Sequence, residues 1–166
     1  MSISRRGFLQ GRLRPDSDAL RPPWVARGDM FEEVCTRCGD CLRVCPTSIL
    51  IAGGGGFPVV DFSRGECTFC GDCVTACKPG ALMRRSESVA PWNVKAAIGD
   101  ACLARRGVEC RVCGEICGEA AIRFRPTAGG VAQPQFDAGR CTGCGACYAP
   151  CPVGAIALTK NVEKHE

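Results

Sequence analysis

One cysteine rhythm, written four times, constrains this chain more than any other feature. Cys35-x2-Cys38-x2-Cys41-x3-Cys45 opens the series and is followed at once by Pro46. Cys67-x2-Cys70-x2-Cys73-x3-Cys77 comes next, with Lys78 and then Pro79 behind it. The last run, Cys141-x2-Cys144-x2-Cys147-x3-Cys151, again ends on a proline, Pro152. The third run departs from the rule. Gly107 stands where its first cysteine is expected, and Cys102 lies five residues upstream. That spacing is Cys102-x7-Cys110-x2-Cys113-x3-Cys117, followed by Gly118.

The runs are themselves repeated in pairs. Cys38, Cys41 and Cys45 recur 72 positions later, and Cys67 to Cys77 recur 74 positions later. The stretch from Gly55 to Cys77 aligns with that from Gly129 to Cys151 beyond the cysteines alone. A fixed internal period is the mark of a tandem architecture. The expected organisation is a basic tail over 1–30, a unit over 31–86, a linker over 87–100, a second unit over 101–160 and a C-terminal tail over 161–166. Within the units, Ile49–Ala52 and Pro58–Phe62 flank Gly53–Gly56, and Ala121–Arg125 and Gln133–Phe136 flank Gly129–Gly130. Both patterns read as hairpins with glycine turns. Leu42–Cys45 suits a single helical turn, and the linker is expected to hold another near Val94–Ile98.

Composition says what the cysteines must do. Sixteen of 166 residues are Cys, 32 are Gly or Pro, and only ten are aromatic. A small chain of this kind buries too little apolar surface to offset its own entropy, and metals or disulfides fill that gap. Reducing conditions would favour metal. Zinc also takes four thiolates, but its sites use two C-x2-C knuckles across a long spacer rather than three cysteines in one tight run. The runs match the bacterial ferredoxin pattern C-x2-C-x2-C-x3-C-P, which holds 4Fe–4S clusters. For the third run, the bland alternative is that some of its cysteines are buried small hydrophobes.

The ferredoxin resemblance implies an α+β fold, a tandem of two ferredoxin-like units with two 4Fe–4S clusters each. It also implies crossed ligation, the fourth cysteine of each run serving the other cluster. The four sets are then Cys35, Cys38, Cys41 with Cys77; Cys67, Cys70, Cys73 with Cys45; Cys102, Cys110, Cys113 with Cys151; and Cys141, Cys144, Cys147 with Cys117. Up to four clusters are expected, the third-run one being the most labile. Gly39, Gly71, Gly143 and Gly145 leave backbone N–H groups free to approach the cluster sulfurs, and such bonds tune potential.

Charge must be read with the clusters in place. The chain is formally +4, of which residues 1–30 supply +3 through six Arg and three Asp. Each oxidised cluster with its thiolates carries about −2, which takes the chain to about −4. No nucleic-acid partner is expected. No run of 18 apolar residues occurs, so no membrane span is expected either. The one histidine, His165, lies in the terminal tail, and Glu66, Asp72, Glu115 and Glu119 read as solvated loop charges. No enzymatic site is expected.

The N-terminus carries Ser4-Arg5-Arg6-Gly7-Phe8-Leu9-Gln10, which resembles the twin-arginine export motif. No apolar segment follows it, so Arg5, Arg6, Phe8 and Leu9 read as a retained docking segment rather than a working signal. Together with Arg21-Pro22-Pro23-Trp24, Gly99–Leu103, Phe124–Thr127, Gln133–Gln135 and the displaced Cys102, this tail makes the chain resemble the NapF family. These are ferredoxin-type proteins of periplasmic nitrate reductase systems. The resemblance covers nearly the whole length, and all sixteen cysteines match family positions. It implies a cytoplasmic accessory protein that meets the precursor of the catalytic nitrate reductase subunit before export. There it would serve maturation by electron transfer or cluster supply. The competing expectations are an electron-wire polyferredoxin subunit of a larger oxidoreductase complex, and an interaction module in which clusters only fold the chain.

Anaerobically purified protein should contain iron and acid-labile sulfide in equal amounts, with a visible band that dithionite bleaches. A colourless, zinc-rich preparation free of inorganic sulfide would refute the cluster reading.

Overall fold

The computed structural model describes residues 19–26, 30–86 and 89–160. Arg5, Arg6, Phe8, Leu9 and the tail 161–166 lie outside them. The fold is small and mixes short helices with two-stranded pairs. It divides into two units. The first takes the chain to Asp61 and again from Cys70 to Pro91; the second takes Phe62–Phe69 and the chain from Trp92 onward.

The first unit is a frame of short elements. They are α1 (Met30–Val34), α2 (Asp40–Arg43), strands β1 (Leu50–Ala52) and β2 (Pro58–Val60), and α3 (Asp72–Thr75). β1 and β2 pair antiparallel, with Ile51 opposite Val59. The Gly53 N–H donates to the Phe57 carbonyl at 2.8 Å and closes the glycine turn. The paired stretch starts one residue later than the sequence suggests and stops at Val60. α2 starts two residues earlier than the expected Leu42, which puts Cys41 in its first turn. Ile49, Leu50, Phe57, Val59 and Phe31 are buried, and each such side chain contributes about 1.5–3 kcal/mol.

Residues 19–26, assigned to the tail by sequence, are packed. Pro22, Pro23, Trp24 and Ala26 are buried. Val25 bridges Leu82, and the Trp24 carbonyl accepts the Met83 N–H at 2.8 Å. The Arg21 guanidinium lies over the rings of Phe31 (5.2 Å) and Phe57 (5.4 Å) and pairs with Glu32 at 2.7 Å. Proline-rich, arginine-rich composition hid this segment. Its prolines have no N–H to satisfy when buried, and its arginine lies against aromatic faces.

The second unit holds β3 (Val94–Ile98), α4 (Val112–Glu115), β4 (Ile122–Thr127), β5 (Gly130–Phe136) and β6 (Ile156–Lys160). β4 and β5 form the expected hairpin, longer by two to three residues toward the turn. The expected helical turn at Val94–Ile98 is corrected here: it is a strand, antiparallel to β6 across five residue pairs. Val94 and Ala96 alternate as buried positions, which is the period of a strand and not of a helix. The core packs Ala96, Cys113, Ile122, Cys147 and Ile156 together, with Phe124, Phe136 and Leu158 against them.

Residues 62–69, expected in the first unit, group with the second. Phe62 is buried and packs edge-on against Trp92 at 5.8 Å and beside Tyr148 at 6.4 Å. Gly145 makes room for it, since a Cβ there would lie 2.0 Å from the Phe62 ring. Gly145 also has φ +85°, where a side chain is strained. Gly145→Ala should therefore cost at least about 2–3 kcal/mol from overpacking and backbone strain together. Anaerobic denaturation midpoints of wild type and variant check this.

Candidate metal centres

The cysteines are placed by a repeated local device. The third cysteine of each run is buried: Cys41, Cys73, Cys113 and Cys147. Cys41, Cys73 and Cys113 lie on α2, α3 and α4. Cys102 is buried too, while Cys38 and Cys70 are exposed.

Behind each fourth cysteine the chain makes the same turn. The N–H of the third residue on returns to the cysteine's own carbonyl, at 3.1 Å for Ser48 to Cys45 and 3.0 Å for Gly80 to Cys77. The matching bonds are 2.9 Å for Ala120 to Cys117 and 3.2 Å for Gly154 to Cys151. All four turn residues are left-handed, with φ of 55°, 76°, 49° and 58° in that order. The turn presents the next N–H groups to the sulfur. Leu82 N–H donates to Cys77 Sγ at 3.3 Å, Ala121 N–H to Cys117 Sγ at 3.3 Å, and Ala155 N–H to Cys151 Sγ at 3.2 Å. Cys45 Sγ lies 3.6 Å from the Thr47 hydroxyl. Burial pushes the Cys45 thiol up, but that hydroxyl and the N–H groups of Leu50, Ile49 and Thr47 outweigh it, and the net shift is down. The third run, with Gly118 in place of proline, makes this turn as the others do. The sequence reading missed these backbone donors because an N–H carries no residue signature.

Among the described residues three cavities each gather four of the cysteines. The first unit has one of about 400 Å³, mouth included, bounded by Cys35, Cys38, Cys41 and Cys77. In the second unit, Cys102, Cys110, Cys113 and Cys151 bound one of about 330 Å³. Cys117, Cys141, Cys144 and Cys147 bound another of about 360 Å³. Of the other four, Cys45, Cys70 and Cys73 belong to the first unit and Cys67 to the second, where its N–H donates to the Cys144 carbonyl at 2.7 Å. Among the described residues no three Cys, His, Asp or Glu side chains converge as a single ion would require. The thiols surround a space instead.

Electrostatics fit a cationic inorganic centre in each of these spaces. Burial, then the neighbouring Cys35, Cys77 and Cys38, pushes the Cys41 thiol up to about 11. Burial and the charges of Cys102 and Cys110 do the same to Cys113, also to about 11. Cys147, under burial, Cys144 and Cys141, is pushed up to about 12. Crowded thiols resist ionising together unless positive charge stands among them, and metal binding releases their protons. The donor set is soft thiolate throughout, which suits iron–sulfur clusters.

Known proteins carry the same signature. The 4Fe-4S dicluster domain family matches residues 34–81 and again 107–155, which leaves Cys102 outside the second match. The chain is 48% identical over 156 residues to the ferredoxin-type protein NapF of Escherichia coli K12, covering 94% of both chains. It is 46% identical to NapF of Haemophilus influenzae, over 95% of this chain and 94% of that one. It is also 32% identical to the methylamine utilization ferredoxin-type protein MauM of Methylobacillus flagellatus, over 95% of this chain and 74% of that one.

The repeated turn gives a direct test. Ala120 pays the left-handed penalty that Gly80 and Gly154 avoid. Ala120→Gly should stabilise the loaded protein by about 0.5–1 kcal/mol, the strain released less the added chain entropy. Gly154→Ala should destabilise it by a similar amount. Anaerobic urea midpoints read both.

Proposed function

Because the chain belongs to the NapF family of ferredoxin-type iron–sulfur proteins, with the 4Fe-4S dicluster domain present twice, we propose that it is a cytoplasmic accessory protein for a periplasmic nitrate reductase. It would act on the catalytic subunit's precursor before export, giving it electrons or a cluster. The observation that carries this reading is the grouping of cysteines into separate sets, each with its third cysteine buried and its fourth tied by a backbone N–H group, on a chain so similar to NapF.

All sixteen cysteines are assigned as ligands, twelve of them in the three sets that bound the cavities. A bound 4Fe–4S cluster takes up and gives back one electron at a time. The chain's own residues hold it and set its surroundings. Buried Cys41, Cys73, Cys113 and Cys147 anchor each site from within. The N–H groups of Leu82, Ala121 and Ala155 stabilise negative charge on the sulfurs, which favours the reduced state. Exposed Cys38 and Cys70 bring their sites to the surface, where a partner can exchange electrons. Ferredoxin-type proteins are electron carriers as a class, and no catalytic group is assigned. Among the described residues no helix is long and apolar enough to cross a membrane. In this proposal Arg5, Arg6, Phe8 and Leu9 dock the precursor or its export pathway.

The similarity to MauM, named for methylamine utilization, favours a second reading. Here the shared property is electron transfer alone, within a larger oxidoreductase complex.

Anaerobically loaded protein should bind the unexported catalytic precursor, and replacing Arg5 and Arg6 with alanine should weaken that binding at least tenfold. Loaded protein that shows no binding above a control protein would rule out the maturation role. Cys38→Ser should lose redox cycling at its site. Cys38→Ser protein that still bound and matured the precursor would reduce the clusters to scaffolding.

A further inference from the structure

Residues 92–95, which lead into the strand hidden in the expected linker, meet the fourth run at three successive residues. Lys95 Nζ donates to the carbonyl oxygen of Cys141. Trp92 Nε1 donates to the carbonyl of Thr142 at 2.9 Å. Gly143 approaches β3 so closely that a Cβ there would lie 2.2 Å from the Val94 carbonyl oxygen. Lys95 is half-buried, so its cation is held against the loop that carries Cys141, Cys144 and Cys147.

The neighbouring cavity of the same unit is different. Besides Cys102, Cys110, Cys113 and Cys151 its walls are apolar, and the nearest cation in sequence, Arg111 between Cys110 and Cys113, pairs with Glu109. The two cavities share one core, in which Cys113 of one and Cys147 of the other are both buried.

We propose that Lys95 raises the reduction potential of the centre held by Cys117, Cys141, Cys144 and Cys147. An electron taken up at that centre is then held more firmly. This rests on the reading that these four cysteines hold a 4Fe–4S cluster. The step adds one electron, taken from a one-electron donor and passed on to a one-electron acceptor. It forms or breaks no bond and moves no proton. Reduction makes the site one charge more negative, and a fixed cation beside it favours that state. In half-buried surroundings the attraction is several times stronger than in bulk water. Glu119 borders the same cavity with the opposite sign, but it is exposed and its field is screened. Lys95 is a positioning and tuning residue and touches no cluster atom.

The test is an anaerobic potentiometric titration followed by electron paramagnetic resonance, with iron and sulfide counted in every sample. Lys95→Met should lower one midpoint and leave the others in place. At that wild-type midpoint, the reduced-to-oxidised ratio should fall on the order of tenfold, about 59 mV for a one-electron couple. Lys95→Arg keeps the charge and should titrate like wild type. Lys95→Met that retains full iron and every wild-type midpoint overturns the proposal. So does loss of iron from both Lys95→Met and Lys95→Gln with full retention in Lys95→Arg, which would make the lysine a clamp. Wild-type protein without iron or sulfide would bring down the cluster reading itself.

Discussion

Thiols pressed around one buried space repel each other once more than one of them ionises. In the cavity of Cys35, Cys38, Cys41 and Cys77 that repulsion adds to burial and holds the Cys41 proton to about pH 11. The same opposition acts on Cys113 and Cys147. An inorganic centre carrying positive charge relieves it at each site and ties distant parts of the chain together. Cys41 and Cys77, 36 residues apart, meet at one cavity, and so do Cys102 and Cys151. Among the described residues the helices are no more than five residues long and the strands no more than seven. Such elements are not self-sufficient, since a helix of one turn is unfavourable alone. Much of the folding free energy therefore has to come from the centres themselves.

The protein answers this with backbone geometry as much as with side chains. One turn follows every fourth cysteine, and in each the carbonyl of that cysteine is bonded by the third residue on. The turn survives where glycine is replaced by Ser48 or Ala120, at a cost in strain. A conformation kept at such a cost has a purpose: it points N–H groups at Cys77, Cys117 and Cys151. A proline after the run is dispensable for this, as Gly118 shows. The third run differs earlier, at Cys102, which is buried among Ala104 and Ala155.

Strand β3 links the frame to the chemistry. Its pairing with β6 builds the second unit's core, and it meets the fourth run through Val94 and Lys95, with Trp92 just ahead of it adding a third contact. A structural strand and an electrostatic control over the site are then one element. The charge on Lys95 acts beside the loop that carries Cys141, Cys144 and Cys147.

The cysteine spacing by itself determined the chemistry, the number of runs and the twofold repetition. Each is local, set by a few residues along the chain, and the two hairpins were legible for the same reason, through their glycine turns. The crossed sets implied by the ferredoxin resemblance depend on where distant runs are brought together, and the tertiary structure alone placed three of them around shared cavities. It alone turned Val94–Ile98 into a strand, since Lys160, Thr159 and Leu158 supply the partner edge. It also packed Trp24 and grouped Phe62 with Trp92, because burial is a property of neighbours rather than of composition.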